Sequence, residues 1–436
     1  MKRPALFLLS LLSVTAQAAE KPRPLTLQEA RTLVLERHPG IHAAQLTARA
    51  TGEIIRQHRA AYLPQLQLLG GSVITTQDEG GVNIVTDSLQ MPGVNDRASV
   101  GFSVSQLITD FGRTSNLTAS SRLRALAEEQ NAQTTRAQIL LETDAACLGI
   151  LQAAALLDVA EQTVKTRTVL RDNIVSMQKS GLKSSLDVSF AEVNLQDAEL
   201  LLSRARNDLL SAQTKLARLL LDPEGTSYRI NEPAAPPSLP KDARSLVAKA
   251  SGMRPELASL RLAHDAAQRF VEAEKALSRP RLSLQGSAGA LPWRDKSMEE
   301  NYVAAGILLS WPLSTGGLNS AKQREAQLRA EAADQALKNE EARVARDVQI
   351  AWLNASNALE RLGIAKNLRE QSSQSYALAE ARFQTGSSGI VELSQAQLNL
   401  TAAEIRHTTT RYEYLLHRSI LDYEAGAMLT TATAKP

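Results

Sequence analysis

Cysteine is almost absent. Cys147 is the only one in 436 residues, so no disulfide can form within the chain even in an oxidising compartment. Aromatic side chains are scarce at 4%, although 43% of residues are hydrophobic. Small and aliphatic side chains make up the difference, which suits closely packed helices better than a bulky globular core. Neither sign of charge is in excess, with 49 Lys and Arg against 46 Asp and Glu. The concentrated basic face that nucleic acid requires is missing, and nucleic acid is excluded as a partner. Beyond the first twenty residues no stretch stays apolar for about 18 in a row, so no membrane-spanning helix is expected. His42 and His58 have no His or Cys at metal-ligand spacing, and His38 reads as an exposed residue before a proline. Gly225 and the Gly80-Gly81 pair lack a strand-to-helix context and read as turns. Without a phosphate loop, a metal cluster or a Ser/Cys–His arrangement, no catalytic residue and no cofactor is expected.

Residues 1–18 read as a cleaved signal peptide. Lys2 and Arg3 form a basic start, Ala5 to Val14 an apolar centre too short for a bilayer, and Ala16-Gln17-Ala18 a small-residue cleavage site. No Cys follows to carry a lipid anchor. Removing Lys2 and Arg3 takes the formal charge from +3 to +1. An exported chain of this kind is either periplasmic or an outer-membrane protein made of strands.

What is present is a repeat. Gly181 and Gly386, Asp187 and Glu392, Val188 and Leu393, Asn194 and Asn399, and Leu195 and Leu400 each stand 205 positions apart. In both copies a long helical pattern runs in, breaks at a glycine and restarts after an acid. These are expected to be two helix-hairpin tips and the place where the protein acts. Upstream, Arg37-His38-Pro39 and Leu63-Pro64 are answered by Met253-Arg254-Pro255 and Arg279-Pro280 at a shift of 216. The change of shift puts an 11-residue difference between them, in a loop that tolerates it.

The first repeat spans 19–221. Thr26 to Glu29 has a capping-box pattern and opens a helix, which breaks near His38-Pro39-Gly40 and resumes to about Ala61. The period then changes to two in a β-hairpin at 65–107, whose return strand sets Val100, Phe102 and Val104 against Gly101, Ser103 and Ser105. Its polar loop is Gln77 to Asp96. Such a hairpin fits a transmembrane barrel, and equally a globular hairpin with one wet face. Asp110-Phe111-Gly112-Arg113 closes the strand and opens a long proline-free helix at 113–179. A second helix, 185–221, is expected to be capped by Ser185 or Asp187. A five-proline connector at 222–242 carries no expected role beyond joining the halves. The second repeat, 243–426, has a hairpin at 281–313, a long helix at 318–384 and a helix at 390–424, with a tail at 427–436. After the second tip, Leu398, Ala402, Ile405, Thr409, Tyr412, Leu416 and Ile420 alternate steps of four and three, a coiled-coil-like seam.

This plan does not close within one chain. A helix about 100 Å long at 1.5 Å per residue needs other long helices to lie on. Four strands leave open edges whose N–H and C=O groups cannot go unpaired in hydrocarbon. Several chains in a ring remove both problems, and three would give twelve strands. Trp293, Tyr302 and Trp311 are placed as interfacial aromatics would be, or as a small local core.

With LTLQEA near the start, QLITDFGR at the strand-to-helix turn and RFQTGSSGIVELSQAQ at the second tip, the chain resembles the TolC family of outer-membrane efflux proteins from Leu25 to about Gly426. The resemblance implies a mostly α protein with a small β part: a trimeric 12-stranded outer-membrane β-barrel continuous with a long periplasmic α-helical barrel. It implies a homotrimeric duct in outer-membrane lipid of a Gram-negative bacterium. The duct would dock with a periplasmic adaptor and an inner-membrane pump of resistance-nodulation-division, ABC or major-facilitator type. It places Gly181 and Gly386 at the family's tip glycines. Leu182, Asp187, Val188 and Leu393 fall at neighbouring adaptor-docking positions, and Glu392 with Asp187 at a constriction ring. Gln395 and Ser388 stand where some members have a second acid and a basic lock, so no specific lock carries over. The alternatives are a periplasmic adaptor with coiled-coil hairpins, against which the two strand pairs and the 205-residue repeat speak, and a soluble enzyme.

Overall fold

The computed structural model describes residues 23–73, 97–223, 226–233, 238–294 and 299–433. The expected signal peptide and the Gln77–Asp96 loop lie outside them. The described chain is mostly helical with a small β part and forms two compact units.

The first unit comprises Met1–Pro39, Arg136–Leu246 and Asp347–Pro436. Strand β1 (Arg23–Leu25) leads into α1 (Leu27–Arg37) through a capping box. Thr26 Oγ accepts from the Glu29 amide at 3.1 Å, and the Glu29 carboxylate accepts from the Thr26 amide at 2.8 Å. The helix stops because Pro39 pushes His38 into an extended conformation. Helix α3 (Arg113–Lys179) contains one stretch apolar and long enough to cross a bilayer on composition alone, which the strict count of apolar residues had passed over. It is a core helix. Leu140, Cys147 and Ile150 are buried, and the fully buried Asp144 takes a two-pronged ion pair from Arg31, with Nε at 2.7 Å and Nη2 at 2.5 Å. Helix α4 (Ser185–Leu220) precedes the connector. That connector is not the passive joint expected of its prolines. Its strand β4 (Tyr228–Ile230) pairs in parallel with β1, Tyr228 donates to Asp222 at 2.6 Å, and the Trp352 indole donates to the Pro240 carbonyl at 2.9 Å.

The second unit comprises Gly40–Thr135 and Val247–Arg346. It contains most of α2 (Pro39–Arg59), part of α5 (Ala243–Met253), α6 (Pro255–Lys275) and a four-stranded antiparallel sheet. The strands are β2 (Gln65–Val73), β3 (Arg97–Thr109), β5 (Arg281–Arg294) and β6 (Asn301–Ser310), in the order β2-β3-β5-β6. Both hairpins are thus neighbours in one sheet, with β2 and β6 as open edges. The register separates two faces. Leu68, Phe102, Ala288 and Val303 form one cross-strand row, next to the row of Leu66, Val104, Gly286 and Ala305. Gln67, Ser103, Ser287 and Ala304 lie on the other face. The apolar face is not covered: Leu68 is 65% exposed and Val303 84%.

Tyr302 departs from the interfacial role considered for it. It pairs with Gly289, which pairs with Gly101, and its ring covers these glycines on the polar face. A Cβ on Gly289 would stand 2.4 Å from the Val100 carbonyl oxygen and 2.7 Å from the Tyr302 hydroxyl. A backbone oxygen cannot be moved aside by a rotamer change. Gly289→Val is therefore expected to break the β3–β5 ladder and to prevent a heat-resistant folded species on gel electrophoresis, whereas Gly306→Val, with open space at its Cβ, leaves it intact.

The turn from β3 into α3 is tight. The buried Asp110 carboxylate accepts from the Thr114 amide at 2.8 Å, Phe111 adopts φ +51° and Gly112 φ +103°. The second repeat makes its own turn at Gly316-Gly317, and α7 (Leu318–Gln384) and α8 (Ile390–Glu424) follow, with the short α9 (Met428–Thr433) last.

Candidate functional site

Both long helices end in the same wrap. Gly181 N–H donates to the Gln178 carbonyl at 3.0 Å and Leu182 N–H to Met177 at 2.9 Å. At the second tip Gly386 donates to Phe383 at 3.1 Å and Ser387 to Arg382 at 2.8 Å. This double closure needs a left-handed residue, and Gly181 and Gly386 supply it at φ +74° and +72°. Nothing lies within 4 Å of a Cβ built on either, so the constraint is one of backbone conformation.

The restarts differ. Helix α4 is capped by Ser184, one residue before the expected Ser185. Asp187 sits at the third helical position and reaches back to it, accepting from the Ser184 amide at 2.9 Å while Ser184 Oγ accepts from the Asp187 amide at 3.2 Å. The backbone hydrogen bond from Ser184, then its hydroxyl, hold the Asp187 carboxyl below the usual carboxylate range. At α8 the capping position is Gly389, which has no side chain to give. Glu392, the counterpart of Asp187, pairs with Arg382 Nη1 at 2.7 Å instead. The first repeat has Met177 where the second has Arg382, so Asp187 has no such partner.

Between the hairpins lies a core of Ile174, Ala191, Phe383, Ile390, Leu393 and their neighbours, with Val188 packed against it. Leu393 is 3% exposed and cannot meet a partner from outside; Val188 offers only its outer edge. The burial of Leu393 corrects the expectation for that residue. The two hairpins bury these positions against each other. Exposed apolar residues at and beyond the tips include Leu182, Leu186, Phe190, Val193, Leu200 and Val391. Leu186, Val193 and Leu200 recur every seven residues with Phe190 between, a coiled-coil-like stripe readable in the sequence and passed over there. Two further contacts join the tips. Lys183 Nζ lies 4.6 Å from the centre of the Phe383 ring, and Asn194 Nδ2 donates to Ser394 Oγ at 3.0 Å. Chemically the arrangement offers an apolar helical stripe beside rigid turns and a few exposed charges: a surface for holding another helix rather than for bond making.

The family described as "Outer membrane efflux protein" matches residues 30–220 and 246–422. The chain is 21% identical over 405 residues to the outer membrane protein TolC of Salmonella enteritidis, covering 90% of this chain and 80% of that one. It is 26% identical over 305 residues to the outer membrane protein OprJ of Pseudomonas aeruginosa, covering 68% and 62%. Its fold is similar to that of the outer membrane protein VceC of Vibrio cholerae, with a TM-score of 0.77, 17% identity and coverage of 92% and 96%.

Proposed function

This chain belongs to the outer membrane efflux protein family, and from that premise we propose that it is the exit duct of a tripartite efflux or type I secretion assembly. A periplasmic adaptor is set aside, since the family match runs through both repeats of an outer-membrane protein. The observation that carries the proposal is the sheet. It has a bare apolar face, a polar face opposite, and open edges at β2 and β6. Hydrocarbon satisfies the first, water in a lumen the second, and pairing of β6 with β2 of the next copy the third. Three copies make a 12-stranded barrel, with the long helices forming the periplasmic part.

The tips then dock the adaptor that connects the duct to an inner-membrane pump. Gly181 and Gly386 set the turns, and Leu182, with Leu186, Phe190 and Val193 behind it, offers the apolar contact. Glu392, whose ion pair with Arg382 is exposed, is the carboxylate for a ring at the periplasmic entrance, while Asp187 is tied to its own helix end. Mass measurement of the complex in detergent tests the assembly. A trimer whose barrel resists mild denaturant until heated is expected, and a stable, folded, membrane-inserted monomer overturns the reading.

A further inference from the structure

The strands β2, β3, β5 and β6 contain no acid. Their only charged residues are Arg97, Arg281 and Arg294. The register puts all three on the polar face: Arg97 in line with Ser99 and Ser103, Arg294 opposite it, and Arg281 in line with Ser283 and Ser287. Arg97 and Arg294 are thus direct cross-strand partners at the loop end of the sheet. Like charges set opposite each other weaken a ladder. Arg294 Nη1 donates to the Leu291 carbonyl at 3.3 Å, and its Nη2 lies 3.7 Å from the Glu300 carboxylate, whose side chain is 69% exposed. An ion pair so long and so open does little against that repulsion.

Further in on the same face, Tyr302 stands opposite Gly289, and Gly289 opposite Gly101. The hydroxyl reaches the far glycine, since a Cβ built on Gly101 would lie 2.4 Å from it. Neighbouring strands are about 4.8 Å apart, so a side chain from β6 gets that far only by lying along the sheet. One face of the ring therefore rests on bare backbone at two glycines, and the other is turned away from the sheet. The next row, Ser103, Ser287 and Ala304, is small and uncharged and leaves that outer face open.

A flat aromatic face beside two opposed guanidinium groups selects one chemistry. The ring stacks on planar π-systems, and arginines hold carboxylates through paired hydrogen bonds. We propose that the polar face of the sheet is a binding site for planar aromatic carboxylates, which lay their ring on Tyr302 and their carboxylate between Arg97 and Arg294. Positions 97 and 101 are about 13 Å apart at 3.3 Å per residue, a span that an extended arginine side chain and a two-ring ligand fill together. The bridging carboxylate offsets the repulsion between the two arginines. In a ring of three copies the site recurs around one lumen, and a collar of arginines there draws anions in. This assignment rests on the reading that the polar face lines the duct, and it names the class of substrate that the duct favours.

The purified assembly in planar bilayers provides the test, with naphthoate, cyclohexanecarboxylate and naphthylmethanol added on the loop side. Naphthoate is expected to block the current at several-fold lower concentration than either of the others, the first of which lacks the flat ring and the second the charge. Block no better than that by cyclohexanecarboxylate refutes the stacking contact, and block no better than that by naphthylmethanol refutes the arginine contact. Tyr302→Leu is expected to abolish the advantage over cyclohexanecarboxylate, and Tyr302→Phe to keep it. An advantage that survives in Tyr302→Leu means that the ring only covers its glycines, and the site is refuted. Should Tyr302→Leu not assemble, the comparison of the three blockers on the native assembly still decides. Arg97→Gln combined with Arg294→Gln is expected to abolish the advantage over naphthylmethanol, and an unchanged advantage removes both arginines from the site. A membrane-impermeant methanethiosulfonate applied to Ser103→Cys checks the lumen separately, the native Cys147 being buried. If modification lowers the conductance but naphthoate shows no preference, the site falls and the duct stands; if residue 103 does not react from water, both fall.

Discussion

Gly386→Val is expected to abolish efflux and adaptor crosslinking while the trimer still assembles in the outer membrane. The second tip closes through two hydrogen bonds that require φ near +72° at residue 386, and a left-handed conformation costs an ordinary L-residue about 1–2 kcal/mol, more when the side chain is β-branched. A Cβ at this position meets nothing within 4 Å, so the cost is chiefly one of backbone conformation and stays local. That cost is small against a folded protein of this size but large against a five-residue turn, which would relax by releasing the Ser387–Arg382 hydrogen bond and swinging the start of α8. Gly386→Ala, which is not β-branched, is expected to retain partial efflux. The measurements are site-specific crosslinking to the adaptor and drug accumulation at matched expression. Full efflux by Gly386→Val would mean that the tip is not the docking surface.

Loss of cation block in Glu392→Ala is the second large effect expected. A threefold ring of this carboxylate would concentrate negative potential at a narrow entrance and draw in multivalent cations. Within one chain, however, Arg382 stands 2.7 Å from Glu392, with both side chains about half exposed. An exposed pair of this kind is worth about 0–1 kcal/mol, weak enough for a trivalent cation to displace. Opposite signs follow for two substitutions. In planar bilayers Glu392→Ala should lose most of the block from the periplasmic side, and Arg382→Ala, which frees the carboxylate, should be blocked at lower concentration than the native trimer. If neither changes the block, Glu392 is only a first-turn acid favoured by its helix end.

The long helices were legible in the sequence because a proline-free run with an apolar stripe has few other ways to satisfy its backbone. The strands were legible from the alternation around Phe102. The tips were legible only in part. Positions 181 and 386 follow from chemistry that belongs to glycine alone, wherever the rest of the chain goes. The fate of Leu393 depends on which side of one hairpin meets the other, and a leucine near a turn looks the same in either case. Asp187 and Glu392 illustrate the limit of a repeat: five matched pairs suggest equal roles, yet a serine at 184 and a glycine at 389 send the two acids to different partners. Ser184 and Ser185 are adjacent and chemically alike, and only the reach of Asp187 decides between them.

The ladder between β3 and β5 bears on how the protein comes to exist at all. It joins Gly101 to Gly289 and Phe102 to Ala288, residues that leave the export machinery far apart in time. Closing so large a loop is slow, and it cannot begin until the second repeat has been synthesised. Through that interval strand β3 has only β2 to pair with, and the edge that will meet β5 must travel through water open. Such a strand is as ready to join a stranger as its own sheet. A chain of this design is accordingly expected to depend on holdase chaperones in transit, and to precipitate before it misfolds when they are depleted.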